Sequence, residues 1–139
     1  MKATVKWLQD VSFSGASASG HSVIMDGAPE FGGANQGMRP MEMLLLGMGG
    51  CTAFDVVHIL RKARQDIVDF EVDLDAQRAE APPKVFTRIH VHFDIRGRNV
   101  SPAAVERAID LSLSKYCSAT IMLAKTAEIT HDYSIIDVD

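Results

Sequence analysis

Two cysteines, Cys51 and Cys117, are the residues of this 139-residue chain best suited to chemistry. A thiolate is a nucleophile and can be oxidised, and two cysteines that meet can close a disulfide. Cys51 lies in Gly49-Gly50-Cys51-Thr52-Ala53-Phe54-Asp55, where two glycines thin the side-chain wall and leave a path to the sulfur. Asp55, one turn later, is a like-sign neighbour that opposes a thiolate there. Cys117 lies in Lys115-Tyr116-Cys117-Ser118-Ala119-Thr120, just before a predicted helix start. Lys115 and the helix dipole both favour a thiolate at that position. Each cysteine alone also reads as a small buried hydrophobe, the common state of a free thiol. The pair is therefore either structural or redox-active.

The histidines are weaker candidates. His21, His58, His90, His92 and His131 are scattered, and no Cys-x-x-Cys or His-x-x-x-His spacing exists. His90 and His92 share one face of a strand, but no carboxylate stands at a suitable spacing to complete a metal site. That face is read as solvated, and no metal is expected. Cys51 and His58 are seven residues apart on one helix, about 10 Å along its axis, too far for a nucleophile and its base.

Composition narrows the function classes. The chain has 14 Lys+Arg against 18 Asp+Glu, a net charge of −4, so no uniform basic surface is available for nucleic acid. At 47% hydrophobic and 23% charged residues it matches an ordinary folded domain, and its length predicts one domain over 1–139. The longest apolar run, Met43 to Gly50, is far shorter than the ~20 residues of a bilayer span. Met1-Lys2-Ala3-Thr4-Val5-Lys6 leads into no apolar segment of signal-peptide type. The expectation is a cytoplasmic protein without membrane or nucleic-acid partners.

Three short strands are predicted first, at about 2–9, 12–16 and 21–26, with Val5 and Trp7 facing inward. Such strands cannot bury an apolar face alone, so another sheet or a second subunit must cover them. A Gly-dense loop over 27–38 leads to Pro40, at the first turn of a helix running to about Gln65. Its buried face is predicted to carry Met43, Leu46, Gly47, Gly50, Phe54, Val57 and Leu60. Gly47, Gly49 and Gly50 each cost a helix about 1 kcal/mol, which points to either a helix break or a close backbone approach. Residues 70–76 and 85–95 alternate as an antiparallel hairpin around Pro82-Pro83. Ser101 and Pro102 open a helix with Val105, Ala108, Ile109, Ser112, Leu113 and Tyr116 on its buried side. Ser118 is expected to cap a short turn over 120–125, and a strand over 128–138 closes the chain. This order is α+β.

Arg39-Pro40-Met41-Glu42-Met43-Leu44-Leu45-Leu46 leading into Gly49-Gly50-Cys51, with Cys117-Ser118-Ala119-Thr120 some 66 residues on, resembles the OsmC/Ohr family, in particular its YhfA-like branch. The resemblance covers nearly the whole chain. It implies an OsmC-like fold, antiparallel sheets wrapped around long central helices in an intertwined homodimer. It further implies reduction of organic hydroperoxides without a cofactor. Cys51 would be oxidised to a sulfenic acid, Cys117 would resolve it as a disulfide, and an external dithiol would reduce that. Active members of the family place a Glu directly after the Pro, where this chain has Met41. Glu42 is nine residues before Cys51 and projects from the opposite side of the helix. The family's N-terminal Arg has no counterpart before Arg39, which makes Arg39 the candidate supporting cation, with a solvated position before the helix as the alternative. A non-catalytic dimer that binds a small apolar ligand between its subunits is the other reading of the same pattern.

Overall fold

Three antiparallel strands, β1 (Ala3–Gln9), β2 (Ser12–Ser17) and β3 (Ser22–Asp26), form a sheet in the order β1-β2-β3. They belong to the first of two compact units, Met1–Leu44 and Leu45–Asp139, that the computed structural model describes over residues 1–139. The predicted inward face of β1 is uncovered in the single chain: Val5 and Trp7 are 63% and 64% exposed. The strands are short and the unit contains no long helix packed over them, so Val5, Trp7, Leu8 and Ile24 stay exposed while Phe13, Val23 and Met25 are only half-buried.

The Gly-rich segment after β3 is ordered around one buried side chain. Asp26 accepts hydrogen bonds from the backbone N–H groups of Gly27, Ala34 and Gln36 at 2.9, 3.0 and 3.1 Å. These bonds, that from Gln36 foremost, hold its carboxyl below the usual carboxylate range. Arg39 closes the loop: its guanidinium donates to the Asn35 side chain and the Gly37 carbonyl, both at 3.1 Å.

α1 (Pro40–Lys62) starts at Pro40, with the Glu42 carboxylate accepting the Arg39 backbone N–H at 2.7 Å. It ends before Arg64, which takes a positive φ of 58°. The face buried in the chain carries Met48, Gly49, Thr52, Val56 and Leu60, not the predicted set, of which only Leu60 is fully buried. Leu46 and Phe54 are 54% and 70% exposed. Both sides of α1 are apolar, so helical periodicity alone does not select the covered one. By length and composition α1 also suffices to cross a membrane, although its Met48–Leu60 face is covered by protein. The glycines divide accordingly. A Cβ on Gly49 would come within 2.6 Å of Leu74 Cδ1, whereas Gly47 and Gly50 face open space.

In the second unit β4 (Asp66–Arg78) and β5 (Phe86–Arg98) form the expected antiparallel hairpin; β4 is longer than predicted at both ends, and β5 starts one residue later and runs three residues further. β6 (Glu128–Asp137) pairs with β5 in parallel, so this sheet is mixed rather than antiparallel throughout. A parallel return requires a crossover of a dozen residues or more. α2 (Pro102–Leu111), a π-helical turn (Ser112–Tyr116) and α3 (Ser118–Leu123) supply it. Ile89, Val91, Phe93 and Ile95 of β5 are fully buried and form the core with Met48, Val56 and Leu60 of α1 and Val105, Ala108 and Ile109 of α2.

The crossover departs from the predicted single helix in a way that places a cysteine. Ser101 caps α2 by accepting the Ala104 N–H at 3.2 Å, as expected. After Leu111 the chain widens by one residue, and the Cys117 N–H donates to the Ser112 carbonyl, five residues back, at 2.7 Å. That extra residue shifts the helix phase and leaves Tyr116 half exposed instead of buried. The cap of α3 is Cys117 and not Ser118, because the Cys117 sulfur takes the Thr120 N–H at 3.4 Å.

Candidate active site

The two predicted cysteines come together within the second unit. Cys51 is half-buried on α1, Cys117 is fully buried at the start of α3, and both are free thiols. Their sulfurs and a carboxylate oxygen of Asp55 all lie within 4.8 Å of one another. Cys51 is therefore within a side-chain rotation of bonding to Cys117, with the more accessible sulfur on the outside.

Each partner is held from behind. Thr120 donates twice to the Cys117 sulfur, from its backbone N–H at 3.4 Å and its hydroxyl at 3.1 Å. The thiol in turn leans toward the Met48 carbonyl on α1, at 4.0 Å. Burial is the main influence on this thiol and pushes its pKa up; the Thr120 bonds pull it down, and the neighbouring Cys51 raises it again. The net direction is upward, so Cys117 rests as a thiol. Lys115, expected to favour a thiolate here, instead lies over the Tyr116 ring, and burial sets the direction of the shift.

Asp55 is fixed by two buried hydroxyls. Ser112 donates to Asp55 Oδ2 at 3.0 Å, and Thr52 Oγ1 lies 2.7 Å from Ser112 Oγ. A serine hydroxyl has one proton, so Thr52 must be the donor to Ser112, and the chain Thr52–Ser112–Asp55 has a single direction. Thr52, Ser112 and Thr120 were missed as site residues. Their signal was available only in part: Thr52 follows Cys51 directly and Thr120 lies one turn after Cys117, but Ser112, five residues before Cys117, carries no local mark. In type, two sulfurs and a carboxylate match a divalent-metal donor set.

Arg39, just before α1, and Glu42, in its first turn, are bonded to each other and to the loop through the contacts described above, twelve and nine residues before Cys51. The His90 and His92 face proves not to lack a carboxylate. Asp132 of β6 accepts from His90 Nε2 at 2.9 Å and His92 Nδ1 at 2.8 Å, which holds its carboxyl low, the His92 bond having the larger effect. Thr130 and Ser134 engage the opposite ring nitrogens at 2.7 and 3.3 Å. The sequence hid this cluster because the parallel β5–β6 pairing joins residues some 40 positions apart. Its polar atoms satisfy one another.

Comparison with known proteins gives a consistent result. The family described as OsmC-like protein matches residues 33–132. The chain is 49% identical over 136 residues to Protein YhfA of Escherichia coli K12, covering 98% of each. A hypothetical protein from Aquifex aeolicus is 27% identical and superposes with a TM-score of 0.88 over 99% of this chain and 97% of that one. An organic hydroperoxide resistance protein OsmC from Legionella pneumophila, 13% identical, shares the fold with a TM-score of 0.70 over 96% and 95% of the two chains.

The site makes a prediction about the two thiols. Cys117 is fully buried and its pKa is raised, whereas Cys51 is half-buried, so at pH 8 an alkylating reagent is expected to modify Cys51 first and Cys117 more slowly. Because a raised folded-state pKa favours the protonated form, stability linked to Cys117 is intact below its unfolded pKa and falls as pH rises through the folded one. Thr120→Val removes a bond that lowers this pKa and should slow Cys117 alkylation further. Equal rates for both thiols at pH 8 would contradict the assignment.

Proposed function

Since the chain belongs to the OsmC-like protein family, we propose that it is a thiol-dependent peroxidase acting on organic hydroperoxides, working as a homodimer of one functional domain per chain. The observation that carries the reading is the pairing of a half-buried Cys51 with a fully buried Cys117, sulfurs within 4.8 Å. An outer sulfur that meets substrate and an inner one that resolves it is the arrangement the chemistry needs.

In the first step the Cys51 thiolate attacks the terminal oxygen of an alkyl hydroperoxide. The O–O bond breaks, Cys51 becomes a sulfenic acid and the alkoxide leaves to take a proton from water. Cys117 sulfur then bonds to Cys51 sulfur, the S–O bond breaks and water departs. An external dithiol reduces the disulfide and restores both thiols. A reducing cytoplasm suits both the free thiols and the reductant. Arg39, with Glu42 on its backbone N–H, is the candidate supporting cation, from either chain of the dimer. The dimer is supported by the apolar surface each chain leaves open, Val5 and Trp7 on β1 and Leu46 and Phe54 on α1.

Steady-state turnover of an alkyl hydroperoxide with a dithiol reductant tests the activity. Wild type should consume it catalytically, Cys51→Ser should fall to background, and Cys117→Ser should stop after about one turnover. Thiols that survive the hydroperoxide would instead favour the non-catalytic binding dimer, with the open α1 face holding an apolar ligand. The dimer has its own test. In a lone chain Gly50→Ala meets no atom within 4 Å and should gain about 1 kcal/mol of helix stability. A second copy packed there makes the same change destabilising and shifts gel filtration toward monomer. A stabilised protein that elutes as monomer at micromolar concentration contradicts the dimer.

A further inference from the structure

We propose that Asp55 carries the proton of the resolving step, taking it from the Cys117 thiol and delivering it to the oxygen that leaves Cys51. This deepens the peroxidase reading and rests on it. It reverses the role that Asp55 has as a mere like-sign neighbour of Cys51.

Resolution poses a specific chemical problem in this site. The attacking species must be a thiolate, yet Cys117 is fully buried and its surroundings favour the thiol. The leaving group on Cys51 is hydroxide, a poor one unless protonated as it departs. One group between the two sulfurs solves both problems if it can accept a proton from one and give it to the other. Asp55 is the carboxylate so placed, with an oxygen within 4.8 Å of both sulfurs, a reach completed by a rotamer change or one bridging water.

The Thr52–Ser112–Asp55 chain shows why this carboxylate can do the task. Ser112 binds Oδ2, which orients the group while leaving it one oxygen for proton traffic. Thr52 donates to Ser112, so Ser112 cannot turn its hydrogen elsewhere without leaving the network. The extra residue of the π-helical turn sets Ser112 in this position and Cys117 after it. Asp55 also lines an open surface cleft with His58, Lys62 and Tyr116, which gives its carboxylate access to solvent. The ionisable groups facing it are thus Cys51, His58 and Lys62 of α1, Tyr116 of the π-helical turn, and Cys117; β4 contributes the apolar Leu74 beside Gly49.

The step balances. Cys117–SH gives its proton to the Asp55 carboxylate, and the sulfur pair attacks the sulfur of Cys51–SOH. The S–S bond forms, the S–O bond breaks, and the Asp55 proton leaves with the hydroxide as water. Asp55 ends as it began. Cys51 and Cys117 are together oxidised to the disulfide by the hydroperoxide already consumed.

The test separates this step from peroxide chemistry. Cys51 is first converted to a mixed disulfide with 5-thio-2-nitrobenzoate, and release of the coloured thiolate reports attack by Cys117 without any hydroperoxide. Wild type should close at a rate that varies little between pH 6 and 8. Asp55→Asn, which keeps the Ser112 bond, should close on the order of 10²-fold more slowly at pH 7 and regain about tenfold per pH unit, the signature of unaided thiolate formation. Asp55→Glu should restore part of the rate and the flatter profile, which a merely structural role would not do. With an alkyl hydroperoxide under rapid quench, Asp55→Asn should form Cys51 sulfenic acid within about threefold of the wild-type rate and then accumulate it. If Asp55→Asn fails to fold, Ser112→Ala takes its place, with slower closure but the flat wild-type pH profile expected, because the carboxylate remains and only its orientation is lost. Closure by Asp55→Asn at the wild-type rate and pH profile overturns the proposal. Loss of sulfenic acid formation in that variant overturns it too, by placing Asp55 in the first step. A wild type that closes the mixed disulfide as described but never reacts with hydroperoxide leaves the Asp55 role standing and refutes the peroxidase reading alone.

Discussion

The bond between Thr52 and Ser112 fixes how α1 meets the crossover segment, and the chemistry depends on that meeting. Both side chains are fully buried, and their oxygens stand 2.7 Å apart. A buried hydroxyl without a partner costs roughly 1–3 kcal/mol, so any slip of α1 past the π-helical turn would leave two such groups stranded. The registration therefore has a penalty attached to it that apolar packing alone does not supply. Cys51 precedes Thr52 and Asp55 follows within one turn, while Cys117 lies five residues beyond Ser112. Fixing one hydroxyl pair consequently fixes both sulfurs and the carboxylate.

Two local devices make the registration possible. Gly49 removes a side chain where Leu74 presses on α1, since a Cβ there would meet Leu74 Cδ1 at 2.6 Å. The π-helical turn inserts one residue after Leu111, so that Ser112 points at Asp55 and the chain still turns back into α3. π-helical turns are rare and occur often at functional sites. Here the reason is visible in the bonds made by Ser112 and Cys117. The sulfur of Cys117 then serves twice, as the cap of α3 and as one half of the thiol pair.

How far the sequence went depended on the range of the interaction. Strand alternation and helix caps act over a few residues, and from them the order of elements and the Ser101 cap were readable. The cysteines and their family pattern singled out the two thiols that the fold brings together. The buried face of α1 was misread because Leu46 and Phe54 are as apolar as Met48 and Val56, which leaves periodicity no polar side to exclude. The π-helical turn was hidden for a related reason: a helix that gains one residue keeps every local propensity while rotating Tyr116 out and Cys117 in. The His90–His92–Asp132 cluster and the Thr52–Ser112–Asp55 chain join residues about 40 and 60 positions apart. No rule of local spacing reaches them.

As one redox unit, Cys51 would be the outer thiol that is oxidised and Cys117 the inner one that closes on it. Peptide mapping by mass spectrometry after a single equivalent of alkyl hydroperoxide, without reductant, addresses it most directly. The expected product is one cross-linked peptide pair joining Cys51 to Cys117 within the same chain, lighter by two hydrogens, and with Cys117→Ser a single added oxygen on Cys51. Two intact thiols, or oxidation that falls on methionines and spares Cys51, would contradict it.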